Sequence, residues 1–100
     1  MLTITKDNFN AEVLQSDKPV LLDFRATWCG PCRMFAPILA HFAEKHPEIK
    51  VCKVDVDEKP ELAMQHRIMS IPSLVLYRSG KAEKTAAGAM QPGALENRIK

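Results

Sequence analysis

Long hydrophobic runs are missing from this chain. No stretch approaches the roughly 18 apolar residues of a membrane span, so no membrane partner is expected. Aromatics make up 6% of its 100 residues, so the core must be built from Leu, Ile, Val, Met and Ala. Charge of one sign is scarce as well. The net charge is +2 and no Lys/Arg run occurs, which argues against a nucleic-acid partner. Cysteine is limited to three residues, an odd number that does not suit the paired framework of a small secreted domain. The opening Met1-Leu2-Thr3-Ile4-Thr5-Lys6-Asp7 has no basic start followed by a long apolar segment. A reducing cytoplasm is therefore the expected location. Repeats, low-complexity tracts and linkers are absent, and this length predicts a single domain over 1–100. Nothing calls for an obligate oligomer, so a monomer is expected.

What is present is Trp28-Cys29-Gly30-Pro31-Cys32, placed where an apolar strand-like run gives way to a helical pattern. In the first turn of a helix, positions i and i+3 have Cβ atoms about 5–6 Å apart. A disulfide needs Cα atoms roughly 4.4–6.8 Å apart. Cys29 and Cys32 can therefore be bridged or left open with little backbone movement. As a staple the bridge would be poor. So short a ring restrains the unfolded chain by only about 2 kcal/mol, against about 4.7 for a 100-residue loop. The spacing favours a redox role over a structural one. Cys29, Cys32, His41 and His46 also suggest a zinc ligand series. Helix geometry defeats it: His41 falls about 180° around from Cys32, and His46 lies roughly 21 Å along the axis. No metal is expected.

Elements alternate along the chain. Leu2–Thr5 predicts a strand and Asp7–Gln15 a helix, with Phe9, Val13 and Leu14 on one face and Thr5 or Asp7 as cap. Pro19–Arg25 is an almost continuous apolar run that suits a strand covered on both faces. A second helix starts near Cys29–Cys32, buries Phe35, Ile38, Leu39, Phe42 and Ala43, contains Pro37 and ends before Pro47. Lys50–Asp57 predicts a strand with Cys52, Val54 and Val56 on one side, and Pro60–His66 a short helix. Ser73–Arg78 and Ala82–Ala87 predict a hairpin turning at Ser79-Gly80. Pro92–Lys100 predicts a last helix with Leu95 and Ile99 inward. The order implies an α/β layered domain. Cys52 reads as a buried inert thiol, the later methionines as mostly packing, and the histidines as surface or helix-end residues.

Several segments in this order carry a resemblance. They are Asp23-Phe24 with Ala26, Trp28-Cys29-Gly30-Pro31-Cys32, Pro37, Val54-Asp55-Val56-Asp57, Ile71-Pro72-Ser73, Ser79-Gly80 and Gly88-Ala89. Over essentially its whole length the chain resembles the thioredoxin family. The resemblance implies a central mixed five-stranded sheet in the order 1-3-2-4-5, flanked by helices on both faces, with the dithiol at the tip of the second strand. Two departures stand out: Arg25 replaces a frequent tryptophan, and Ser73 a commoner threonine.

The expected chemistry is reduction of protein disulfides through a reversible Cys29–Cys32 cycle. Cys29 precedes a helix, so free N–H groups and the dipole favour its thiolate. A thiol of pKa ~8.5 is about 3% ionised at pH 7, and one of pKa ~7, the figure for thioredoxins themselves and so borrowed, about half. The 16-fold gain in thiolate is cut roughly fivefold by its lower nucleophilicity. Docking and the second thiol must therefore contribute. Cys32, one turn in, is the expected resolving thiol.

Asp23 interrupts Val-Leu-Leu-Asp-Phe, and burial would raise its pKa toward a useful range. Alternation puts Leu21, Asp23 and Arg25 on one side, so a local Asp23–Arg25 ion pair is the alternative. The resemblance favours proton transfer, with Lys53 as a charge nearby; a plain surface lysine is the alternative. From position alone Pro72 could simply start a strand. The resemblance instead makes it cis, beside the thiols. It also implies a docking surface of Trp28, Gly30, Pro31, Ile71, Pro72, Gly88 and Ala89, although Trp28 could also be a core aromatic. The Gly30-Pro31 dipeptide implies a reductant rather than an oxidant or isomerase. A redox-inactive scaffold is the other alternative. No cofactor is implied on this chain. A flavin-dependent NADPH thioredoxin reductase and disulfide-containing client proteins are the implied partners.

Overall fold

The apolar run around Asp23 forms β2 (Val20–Arg25), which lies at the centre of a five-stranded sheet. The computed structural model describes residues 1–98; the inward placement expected of Ile99 lies outside the described residues. The strands are β1 (Leu2–Thr3), β2, β3 (Lys50–Asp55), β4 (Ser73–Arg78) and β5 (Lys81–Ala87). Their spatial order is β1-β3-β2-β4-β5, with β2 parallel to β3 and antiparallel to β4. This is the mixed sheet that the resemblance implied.

Alternation along the strands creates two cores. Val20, Leu22 and Phe24 of β2 pack with Cys52, Val54 and Val75 on one face, together with Ile4, Val13 and Leu62. Leu21 packs on the other face with Val51, Leu74 and Leu76. That second face is covered by α1 (Gly30–Lys45), through Phe35, Leu39 and Phe42, and by α3 (Pro92–Arg98), through Leu95. α2 (Pro60–Gln65) lies on the first face. Among the described residues no helix is long and apolar enough to cross a membrane.

Local chemistry moved several boundaries. Thr5 caps the first helical segment: its Oγ1 accepts the N–H groups of Asp7 and Asn8, and Asn8 Oδ1 accepts the Thr5 N–H. The segment then widens, with the Gln15 N–H bonding the Asn10 carbonyl across five residues over Asn10–Leu14. Val13 is buried, but Leu14, expected inward, stands at the surface. β3 stops at Asp55, short of the expected Asp57. The Asp55 carboxylate accepts the N–H groups of Asp57 and Glu58 and so turns the chain. The methionines also differ from expectation. Met34, Met64 and Met69 are exposed, and of the four only Met90 packs against a core.

Candidate active site

The site grows from the step between β2 and α1. Cys29 is the N-cap of α1, in extended conformation, and Pro31 occupies the first turn, where its missing N–H costs nothing. Cys29 Sγ accepts the backbone N–H of Cys32 at 3.2 Å. The two cysteines are joined as a disulfide, with Cα atoms 5.2 Å apart. A sulfur at a helix N-cap faces unpaired N–H donors and the positive end of the dipole, an environment that stabilises a thiolate. Both residues are enclosed, Cys29 at 4% exposure and Cys32 at 2%, packed with Ala26, Val56 and Ile71.

The second wall comes from the loop before β4. The Ile71–Pro72 peptide bond is cis. The Ile71 carbonyl oxygen lies 3.9 Å from Cys29 Sγ. Gly88 closes this wall: its N–H donates to the Pro72 carbonyl at 2.7 Å, with φ at +91°, a conformation that favours glycine. Ala89 follows at the surface. Trp28 is 65% exposed, which settles it as a surface rather than a core aromatic. Trp28 and Ile71 line one shallow hollow of about 200 Å³.

Asp23 lies deeper. It is 1% exposed, and its Oδ1 has no hydrogen-bond partner. Burial pushes its pKa up to about 6, and the positive charge of Arg25 works against that rise. Lys53 is its register partner across β2 and β3, yet among the described residues no ion pair joins them. Lys53 instead lines a polar hollow of about 190 Å³ with Thr3, Arg25, Thr27, Asp55 and Glu58.

Two contacts were not legible in the sequence. Trp28 Nε1–H donates to Asp57 Oδ2 at 2.6 Å, which pins the exposed indole. Arg33 Nη1 donates to the Thr27 carbonyl at 2.7 Å, which holds the loop before Cys29. In the first, residues 29 positions apart meet because β2 and β3 end side by side, and no local signal announces it. Cys52 is fully buried in the other core cluster and its thiol is pushed up to about 11 by burial, the environment of an inert thiol.

A dithiol bridged across one helical turn, at the mouth of a mixed α/β sheet and beside a cis-proline wall, defines a protein built for thiol–disulfide exchange. The thioredoxin family model matches residues 1–100. A thioredoxin of Alicyclobacillus acidocaldarius subsp. acidocaldarius is 48% identical over 99 residues, covering 98% of this chain and 93% of that one. A thioredoxin of Streptomyces clavuligerus is 46% identical over 92 residues, covering 92% of this chain and 86% of its own length. A bifunctional thioredoxin reductase/thioredoxin of Mycobacterium leprae is 45% identical over 95 residues; these make up 94% of this chain and 21% of that longer protein. The chain belongs to the thioredoxin family, and its Cys29–Cys32 pair makes it a protein-disulfide reductase.

Proposed function

We propose that Cys29 is the attacking sulfur, Cys32 the resolving one and Asp23 the group that takes or returns the proton at Cys32. In the reduced protein the Cys29 thiolate attacks one sulfur of a client disulfide. That S–S bond breaks, a mixed disulfide forms and the other client sulfur leaves as a thiolate. Cys32 gives up its proton and attacks Cys29 Sγ. The second client thiolate leaves, the Cys29–Cys32 bond forms and two electrons have passed to the client. The observation that carries this assignment is Cys29 as N-cap with its sulfur on the Cys32 N–H. The low exposure of Cys29 means that attack follows docking. Trp28, Gly30, Pro31, Ile71, Pro72, Gly88 and Ala89 form the docking surface, in which the Ile71 backbone pairs with an extended client segment.

The oxidised pair is re-reduced by a flavin-dependent thioredoxin reductase drawing on NADPH. The relative that carries both activities in its name supports such a partner. The protein works as one domain over 1–100, as a monomer, in a reducing cytoplasm. Replacing Cys29 with Ser should abolish reduction of insulin disulfides. Replacing Cys32 with Ser should leave the first attack and trap a mixed disulfide, seen as a covalent adduct on a non-reducing gel. Turnover by Cys29→Ser, or no adduct with Cys32→Ser, would reverse the roles.

A further inference from the structure

Three methionines stand more than three-quarters in solvent: Met34 at 78%, Met64 at 77% and Met69 at 96% exposure. An apolar side chain so exposed adds almost nothing to the fold. Met69 is placed there by the way α2 ends. The Ile68 N–H bonds the Ala63 carbonyl at 3.0 Å, and the Arg67 N–H bonds the Met64 carbonyl at 3.1 Å. These are the paired bonds of a Schellman cap, with Arg67 in the left-handed region at φ +54°. The cap folds Ile68 back toward Ala63 and the core. The next residue is left outside. Met69 then lines the apolar hollow that holds Trp28, Val56, Ala63, Ile68 and Ile71.

We propose that Met69 is an oxidation site, at which a peroxide converts the thioether to a sulfoxide and thereby weakens client docking at the Trp28–Ile71 hollow. This rests on the hollow being part of the docking surface. In the step, Met69 Sδ attacks one peroxide oxygen and the O–O bond breaks. An S–O bond forms, sulfur loses two electrons and hydrogen peroxide is reduced to water. Thioether susceptibility follows access, and the product is polar where the reactant was apolar. A polar S–O group at the hollow would have to lose water when an apolar client side chain settles on it. The competing cysteines are held back. In the disulfide state neither Cys29 nor Cys32 has a thiol, and Cys52 is fully buried. Met34, Met64 and, at 43% exposure, Met1 are open to oxidation but do not line the hollow, so their sulfoxides serve as controls.

The test treats the disulfide form with hydrogen peroxide and assigns sulfoxides by peptide mass. Insulin reduction is then measured with dithiothreitol as electron donor. Stoichiometric oxidation of Met69 should raise KM about fivefold with kcat kept within about twofold. A Met34→Leu/Met64→Leu double variant should respond in the same way. Met69→Leu should show the same KM before and after peroxide. An unchanged KM with Met69 fully oxidised, or a rise that persists in Met69→Leu, would overturn the proposal. Trp28→Ala, without peroxide, separates the two levels. If it leaves KM unmoved, the docking surface itself is wrong; if it raises KM while the Met69 sulfoxide does not, only the oxidation site is.

Discussion

Asp23 is the one carboxylate sealed inside β2, with one oxygen lacking a partner. Its pKa is raised from 3.8 to about 6, first by burial, with Arg25 pulling the other way. Between those values the folded protein binds a proton that the unfolded chain has released. Stability therefore falls as pH rises through this window, by about 3 kcal/mol for a shift of this size. Below about pH 3 the penalty vanishes, because both states are then protonated. Asp23→Asn should therefore be about 2–3 kcal/mol more stable than the parent at pH 8 and nearly equal to it at pH 3. Urea unfolding at the two pH values measures this. An equal difference at both would show that charge burial is not the cause. The same variant should slow resolution of the mixed disulfide, since it cannot take a proton. A charged residue amid Val-Leu-Leu-Asp-Phe was visible in the sequence as an anomaly. Its missing partner was not, because whether Lys53 or Arg25 turns toward it depends on rotamers and on which strands lie alongside.

Among the elements, the β4–β5 hairpin was the most legible and the first helical segment the least. Ser79 and Gly80 both have positive φ, +52° and +77°, as a two-residue primed turn requires. The Ser-Gly pair between two strand patterns announces that turn directly. What it does not announce is that a Cβ on Gly80 would sit 2.9 Å from the Leu14 carbonyl oxygen. Gly80→Ala thus meets both a left-handed backbone and a backbone oxygen, and should cost about 2 kcal/mol or more. Gly93, inside α3 with open space for 4 Å around the point where a methyl group would stand, is the contrast. Gly93→Ala should be neutral or stabilising by about 0.5–1 kcal/mol. Thermal unfolding of the pair decides it; equal effects would show that neither φ nor the Leu14 contact matters. The segment around Asn10–Leu14 was harder to read because apolar spacing assumes 3.6 residues per turn. Once the Gln15 N–H reaches back to Asn10, the period lengthens and Leu14 leaves the face it was assigned to.

At the scale of the molecule, periodicity alone gave layers but no strand order. The apolar run over Pro19–Arg25 predicted a strand covered on both faces, while the order of the strands came only from resemblance. Long-range polar ties were invisible for the same reason, and one of them holds the last helix. Leu95 anchors α3 in the core. His46, at the end of α1, places Nε2 3.1 Å from Glu96 of α3 and Nδ1 3.0 Å from Glu48. Its pKa is raised, chiefly by the hydrogen bond to Glu96 and next by that to Glu48. Because the folded value is the higher one, the tie is at full strength below the unfolded value of 6.5 and is lost as pH rises through the folded value. Amide exchange in α3, corrected for its intrinsic pH dependence, should therefore quicken as pH rises from 6.5 to above the folded value. His46→Gln should flatten that dependence while leaving the exchange of β2 and β3 unaltered. A pH response that survives in His46→Gln would place the control of α3 elsewhere. An intact response confined to α3 would show that the helix is seated by apolar packing but latched by charge.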